Sequence, residues 1–97
     1  MYVPNNWVIL KIQGHKEFYK VLAGWSSLYE DYWRLNSGIN SVESEYDYWI
    51  FKGESGSEYK CHKDAEGLSA ITECILGKMI YKFPDKISLV LKTNMEL

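Results

Sequence analysis

Arginine occurs once among these 97 residues, and proline, cysteine and histidine twice each. Two cysteines, Cys61 and Cys74, cannot build a disulfide framework, so both are expected as free thiols in a reducing compartment. No run of eighteen apolar residues occurs, which excludes a spanning helix. The opening MYVPNNWVIL has neither the basic start nor the small-residue cleavage site of a secretory signal, and a cytosolic location is expected. Net charge is also scarce: 11 basic residues against 13 acidic give −2. A general DNA or RNA binder needs a basic surface to neutralise phosphates, so direct nucleic-acid binding is not expected.

Motifs for chemistry are missing too. There is no P-loop and no dinucleotide fingerprint. His15, His62 and the two cysteines have no metal-ligand spacing, so neither a metal nor another cofactor is expected. The run Gly53-Glu54-Ser55-Gly56-Ser57 fails as a nucleophile elbow because Ser57 stands where the second glycine belongs. Cys61 and His62 are adjacent on a predicted strand and therefore point to opposite faces, which separates thiol from imidazole. Cys61 and Cys74 read instead as small core residues. No motif supports a catalytic role, and an enzyme would have to work through carboxylates or tyrosines scattered in the sequence.

What the chain has in excess is aromatic surface: eight tyrosines, four tryptophans and three phenylalanines. Each such ring carries ~150–250 Å², and a chain this short buries only roughly 60–65% of its unfolded surface. Part of this ring area is therefore expected in a pocket or a subunit interface. Open strand edges in a small domain point the same way, to a homo-oligomer.

Hydrophobic periodicity gives the expected organisation, a single domain over 1–97. Strands are predicted at Trp7 to Gln13, Phe18 to Trp25, Tyr32 to Leu35, Asp47 to Lys52 and Ser57 to His62, the last two forming a hairpin. Leu68, Ile71, Ile75, Met79 and Phe83 recur at helical spacing, with Ser69 as N-cap and Pro84 as terminator. Gly77 inside that helix implies a closely packed neighbour. Ile87 to Lys92 closes the chain as a strand. The expectation is α+β in the order βββββαβ: one antiparallel sheet of five or six strands with the amphipathic helix on its apolar face.

The binding signals centre on Arg34. Ten of the eleven basic residues are lysine, so the lone guanidinium, a planar fork suited to phosphate or carboxylate, is informative. It sits in Trp33-Arg34-Leu35-Asn36-Ser37-Gly38, where alternation sends Trp33 and Leu35 one way and Arg34 the other. A surface pair with Asp31 or Glu43 is the competing use. The turns at Asn36-Ser37-Gly38 and Gly53–Ser57 expose N–H groups and hydroxyls fit for an anion or ribose, which brings in Asn36, Ser55 and Ser57. Trp25, Tyr29, Trp33 and Tyr59 offer flat faces for a base. The Gly24–Tyr29 and Gly53–Tyr59 segments echo each other weakly, and two such turns at the same sheet edge would form two walls of one site. Residues 30–58 carry seven acids against Arg34 and Lys52, a net of −5, which reads as a solvated face or as a lure for a basic protein surface.

The run WRLNSGI at residues 33–39, then GESGSEY at 53–59, with Ala23-Gly24-Trp25 ahead of both, resembles a group of short accessory proteins of tailed phages and prophages. The resemblance spans residues 21 to about 67 and leaves out the helix and final strand. That group has no established activity, so no site residue follows from it. It implies a phage protein acting in a bacterial cytoplasm, of a kind that counters host defence. The expected function is sequestration of a small phosphorylated ligand, a cyclic nucleotide immune signal, without catalysis. One alternative is an anti-CRISPR-type inhibitor that presents its acidic surface to a host defence protein; the other is a small hydrolase of the same ligand.

Overall fold

The computed structural model describes residues 1–96. Six strands precede the helix: β1 (Asn6–Ile12), β2 (Phe18–Ser26), β3 (Asp31–Leu35), β4 (Ile39–Glu45), β5 (Tyr48–Gly53) and β6 (Glu58–His62). Helix α1 (Ala70–Lys82) and strand β7 (Ile87–Val90) follow. The strands divide into two antiparallel sheets, β3-β2-β1-β7 and β4-β5-β6. The α+β class stands. The expected order and single sheet do not, because β4 adds a strand and the sheet is split in two.

The split follows from β1. In NWVILKI, Trp7 and Ile9 turn to one face and Val8 and Leu10 to the other, and all four are buried. Trp7 and Ile9 meet Tyr19, Val21 and Ala23 of β2 and Phe51, Tyr59 and Cys61 of the second sheet. Val8 and Leu10 meet Leu22 and, across from them, Leu76 of α1. The four-stranded sheet is thus the middle of three layers, with α1 on one side and β4-β5-β6 on the other. A strand buried on both faces reads as a nearly continuous apolar run rather than a clean alternation.

Strand β4, INSVESE, carries almost no apolar signal. It is an outer strand with only Ile39 buried and Val42 half-buried, and a register shift between Ile39 and Ser41 breaks its period. The helix begins as its sequence predicts. Ser69 Oγ accepts from Thr72 N, and Thr72 Oγ1 accepts from Ser69 N at 2.8 Å, a reciprocal cap. Its buried line runs through Thr72 and Leu76, with Ile75 and Met79 beside them, one position round from the expected stripe. Two expectations on α1 are corrected by that rotation: Cys74 is exposed, and a Cβ at Gly77 would meet nothing within 4 Å.

Cys61, by contrast, is fully buried between the sheets, and burial pushes its thiol up from the usual cysteine pKa. Iodoacetamide is therefore expected to label Cys74 in the native protein and Cys61 only after denaturation, as read by mass spectrometry. Equal native labelling would contradict the burial.

The chain ahead of β1 ties the two sheets together. Tyr2 bridges to Tyr59 on the open edge of β6, with Tyr2 N donating to Glu58 O and Lys60 N to Tyr2 O. Three residues later Asn5 N donates to Gly24 O, and Asn5 Oδ1 accepts from Ser26 N. This strap crosses from one sheet to the other and forms one wall of the site described next.

Candidate functional site

The site is a cleft of about 370 Å³ between the strap and the β2–β3 edge, lined by Met1, Tyr2, Val3, Trp25, Tyr32, Trp33 and Arg34. Register positions the far wall. Antiparallel pairing sets Trp25 opposite Tyr32 and Ala23 opposite Arg34. The Trp25 and Tyr32 rings stack at 5.1 Å and 6° between planes, and Trp25 Nε1 donates to Val3 O at 2.9 Å. Tyr2 meets the edge of Trp25 at 6.3 Å and lies tilted on Tyr59 at 5.0 Å. Four rings thus form a connected cluster whose members come from the strap, β2, β3 and β6.

Arg34 lies against that cluster. Its guanidinium carbon sits 4.3 Å from the centre of the Tyr2 ring, a cation–π contact. The Tyr59 hydroxyl beside it, and then the nearby Tyr2, raise the guanidinium pKa further above its usual value. Neither carboxylate weighed for it in the sequence is its partner. Ion pairs among the described residues join Lys11 to Glu17, Lys52 to Glu43 and Lys60 to Glu45, and Arg34 has none. No lining residue is acidic. The only arginine therefore holds its planar fork in place on an aromatic ring while keeping N–H donors that no carboxylate has claimed.

Of the residues singled out in the sequence, the structure gathers Trp25, Trp33 and Arg34 at the cleft, with Tyr59 buried beneath it. The other four lie elsewhere. Tyr29 projects from the β2–β3 turn and is almost wholly exposed. Asn36 is buried as a strut: its Oδ1 accepts from Val21 N at 2.8 Å, while Nδ2 has no partner among the described residues. Ser55 and Ser57 join Ser37 in a hydroxyl chain, Ser37 to Ser55 at 3.1 Å and Ser55 to Ser57 at 3.3 Å. The Ser55 backbone N–H donates to Ser37 as well, and the Glu54 carboxylate lies over Gly38 close by.

The two turns of the sequence echo do not face each other. The 27–30 turn opens β3, whereas the 54–57 turn touches Ser37 beyond the far end of β3. Met1, Tyr2, Val3 and Tyr32 are the lining residues that the sequence does not single out. Tyr32 was within reach, since it shares the Arg34 face by alternation. Nothing local marks Tyr2, because its partner Tyr59 is far along the chain.

Among the described residues no group of three or more His, Cys, Asp or Glu side chains comes together, and no helix is long and apolar enough to cross a membrane. Comparison of the chain with protein-family models, with curated proteins and with solved structures returns no match.

Proposed function

We propose that the protein is a non-catalytic binder of a small ligand that combines a flat ring with a phosphate, a nucleotide in chemical class. The observation that carries this reading is the Arg34 guanidinium, without a carboxylate partner among the described residues, in an aromatic cleft. An arginine fork takes phosphate oxygens in pairs, and Tyr32 or Trp33, both partly exposed, gives a base a face to stack on. At about 370 Å³ the cleft is near the small end of ligand sites, which run ~300–1,000 Å³. One nucleotide unit suits it; a cyclic dinucleotide would need a second copy to cover its other half. With the resemblance of residues 21–67 to phage accessory proteins, the role that fits is a sponge for a nucleotide immune signal in a bacterial cytoplasm.

Titration calorimetry with cyclic mononucleotides, cyclic dinucleotides and ADP-ribose tests the reading. Binding by the native protein is expected, with tryptophan fluorescence reporting it through Trp25. A charged hydrogen-bonding pair contributes about 1.5–3 kcal/mol, so Arg34→Ala should weaken binding ~10- to 150-fold. Arg34→Lys should recover only part of that, because an ammonium lacks the fork. No binding of any of these ligands, with Arg34→Ala unchanged from the native protein, would remove the proposal.

The reading of a protein inhibitor with an acidic decoy surface is weakened by one observation: Glu43 and Glu45 spend their charge on Lys52 and Lys60. A stoichiometric, salt-sensitive protein partner in a pull-down would restore it. Chromatography of the ligand after long incubation separates a sponge from a hydrolase, since a sponge returns its ligand intact.

A further inference from the structure

A hairpin tip normally carries polar residues. The tip between β2 and β3 carries Leu28 at 97% and Tyr29 at 95% exposure. Neither packs on its own chain, yet the turn that holds them is well tied. Ser27 N donates to Glu30 O at 3.1 Å and Ser27 Oγ to the same oxygen at 2.6 Å. Ser27 Oγ also accepts from Tyr29 N and Glu30 N. Two large apolar side chains are thus presented on a fixed support, flanked by the exposed acids Glu30 and Asp31, which make no ion pair among the described residues.

The other end of the same strand holds a matching depression. A cleft of about 320 Å³ opens where β2 begins, walled by Ile12, Leu35, Met79, Phe83 and Ile87, with Phe18 at its edge. Lys20 and Lys86 also line it, and neither makes an ion pair among the described residues. Two acids adjoin lining residues in sequence. Glu17 is already held by Gln13 Nε2 at 3.1 Å and Lys11 Nζ at 3.2 Å, contacts that lower its pKa. Asp85, next to Lys86, is exposed and does not line the cleft. The cleft is therefore apolar at the bottom and positive at the mouth, while the tip is apolar at the point and negative at the flanks.

The nine residues of β2 separate the two features by roughly 26 Å at 3.3 Å per residue, so the tip cannot reach the cleft of its own chain. We propose that the occupant of this cleft is the Leu28-Tyr29 tip of a second copy, giving a head-to-tail association with Glu30 and Asp31 set against Lys20 and Lys86. A contact of this type is heterologous: each copy has one free tip and one free cleft, so assembly closes as a ring or runs on as a filament. The inference stands apart from the ligand reading and does not need it.

Sedimentation velocity across a concentration series tests it. The native protein is expected to grow beyond a dimer as concentration rises, and to shrink in high salt. The variant Leu28→Asp/Tyr29→Asp changes only exposed positions and should stay monomeric with an unchanged circular dichroism spectrum. Lys20→Glu/Lys86→Glu should do the same from the other side. An equimolar mixture of the two retains one good tip and one good cleft, and is expected to stop at a one-to-one dimer. Adding Glu30→Lys/Asp31→Lys to the lysine-reversed chain should restore growth. A native protein that is monomeric throughout would overturn the proposal. So would oligomers that persist in both double variants, which would assign self-association to another surface such as the β3 edge. Nucleotide binding measured on the monomeric variants reports on the Arg34 cleft independently.

Discussion

Trp7→Ala is expected to lower the free energy of unfolding by about 3–5 kcal/mol, the cost of emptying a large aromatic site in a core. The whole domain has only ~5–15 kcal/mol to lose. The indole is fully buried on the central strand, 5.4 Å from the Phe51 ring of the opposite sheet. Its Nε1 donates to His62 O at 2.7 Å, and its backbone oxygen accepts from Gly67 N at 2.8 Å. The residue thus links both sheets with the segment that leads into α1. Alanine removes the ring and orphans the His62 carbonyl in one step. Trp7→Phe keeps most of the ring but still loses the N–H donor, so a smaller loss of about 1–3 kcal/mol is expected. Urea denaturation of the three proteins checks the ranking. A Trp7→Ala midpoint equal to that of the native protein would mean that the two sheets do not share this core.

How much of this was legible in the sequence depends on where each residue's partner lies. Strands dense in apolar and aromatic residues, such as FYKVLAGWS and YWIFKG, lie within a residue or two of where the sequence predicts them, and the N-cap stands at the predicted Ser69. Local chemistry decides those features. Strand β4 was lost because an outer strand needs few apolar residues and its bulge disrupts the period. The second sheet was lost for a different reason. Apolar residues on both sides of β1 imply two covers, but they do not say whether each cover is a helix or a sheet.

The candidate site divides along the same line. Trp25 and Arg34 were found because each stands out in its own segment, one as an indole on a strand face and the other as the only guanidinium. Asn36 and Ser37 looked like ligand-binding turn residues because sequence shows their polarity but not what absorbs it. In the fold, Val21 N takes the Asn36 oxygen and the Ser55 amide takes the Ser37 hydroxyl. Exposed polarity and satisfied polarity are identical in a sequence. The serine-rich 54–57 turn illustrates the same limit, since its hydroxyls bond to one another.

Two glycines should respond to alanine with opposite signs. At Gly24 a Cβ would stand 2.9 Å from Ser69 Oγ and 2.9 Å from Thr72 Cγ2, closer than real Cβ contacts come. Neither neighbour can move freely: Thr72 is buried, and the two residues cap α1 through each other. Gly24→Ala must therefore displace the start of the helix, at a cost of about 1–3 kcal/mol for overpacking, with some of the cap's ~0.5–2 kcal/mol added where it breaks. Gly24 also pairs with Trp33 and precedes Trp25, so a shift there should change the tryptophan emission of the cleft. At Gly77 the same methyl enters open space on an exposed helical position, and alanine should stabilise by about 0.8–1 kcal/mol through helix propensity alone. Thermal and urea denaturation of both variants measures the pair. A stabilised Gly24→Ala protein would show that α1 does not rest on β2 at this point, and the four-stranded sheet would then have no helical cover there.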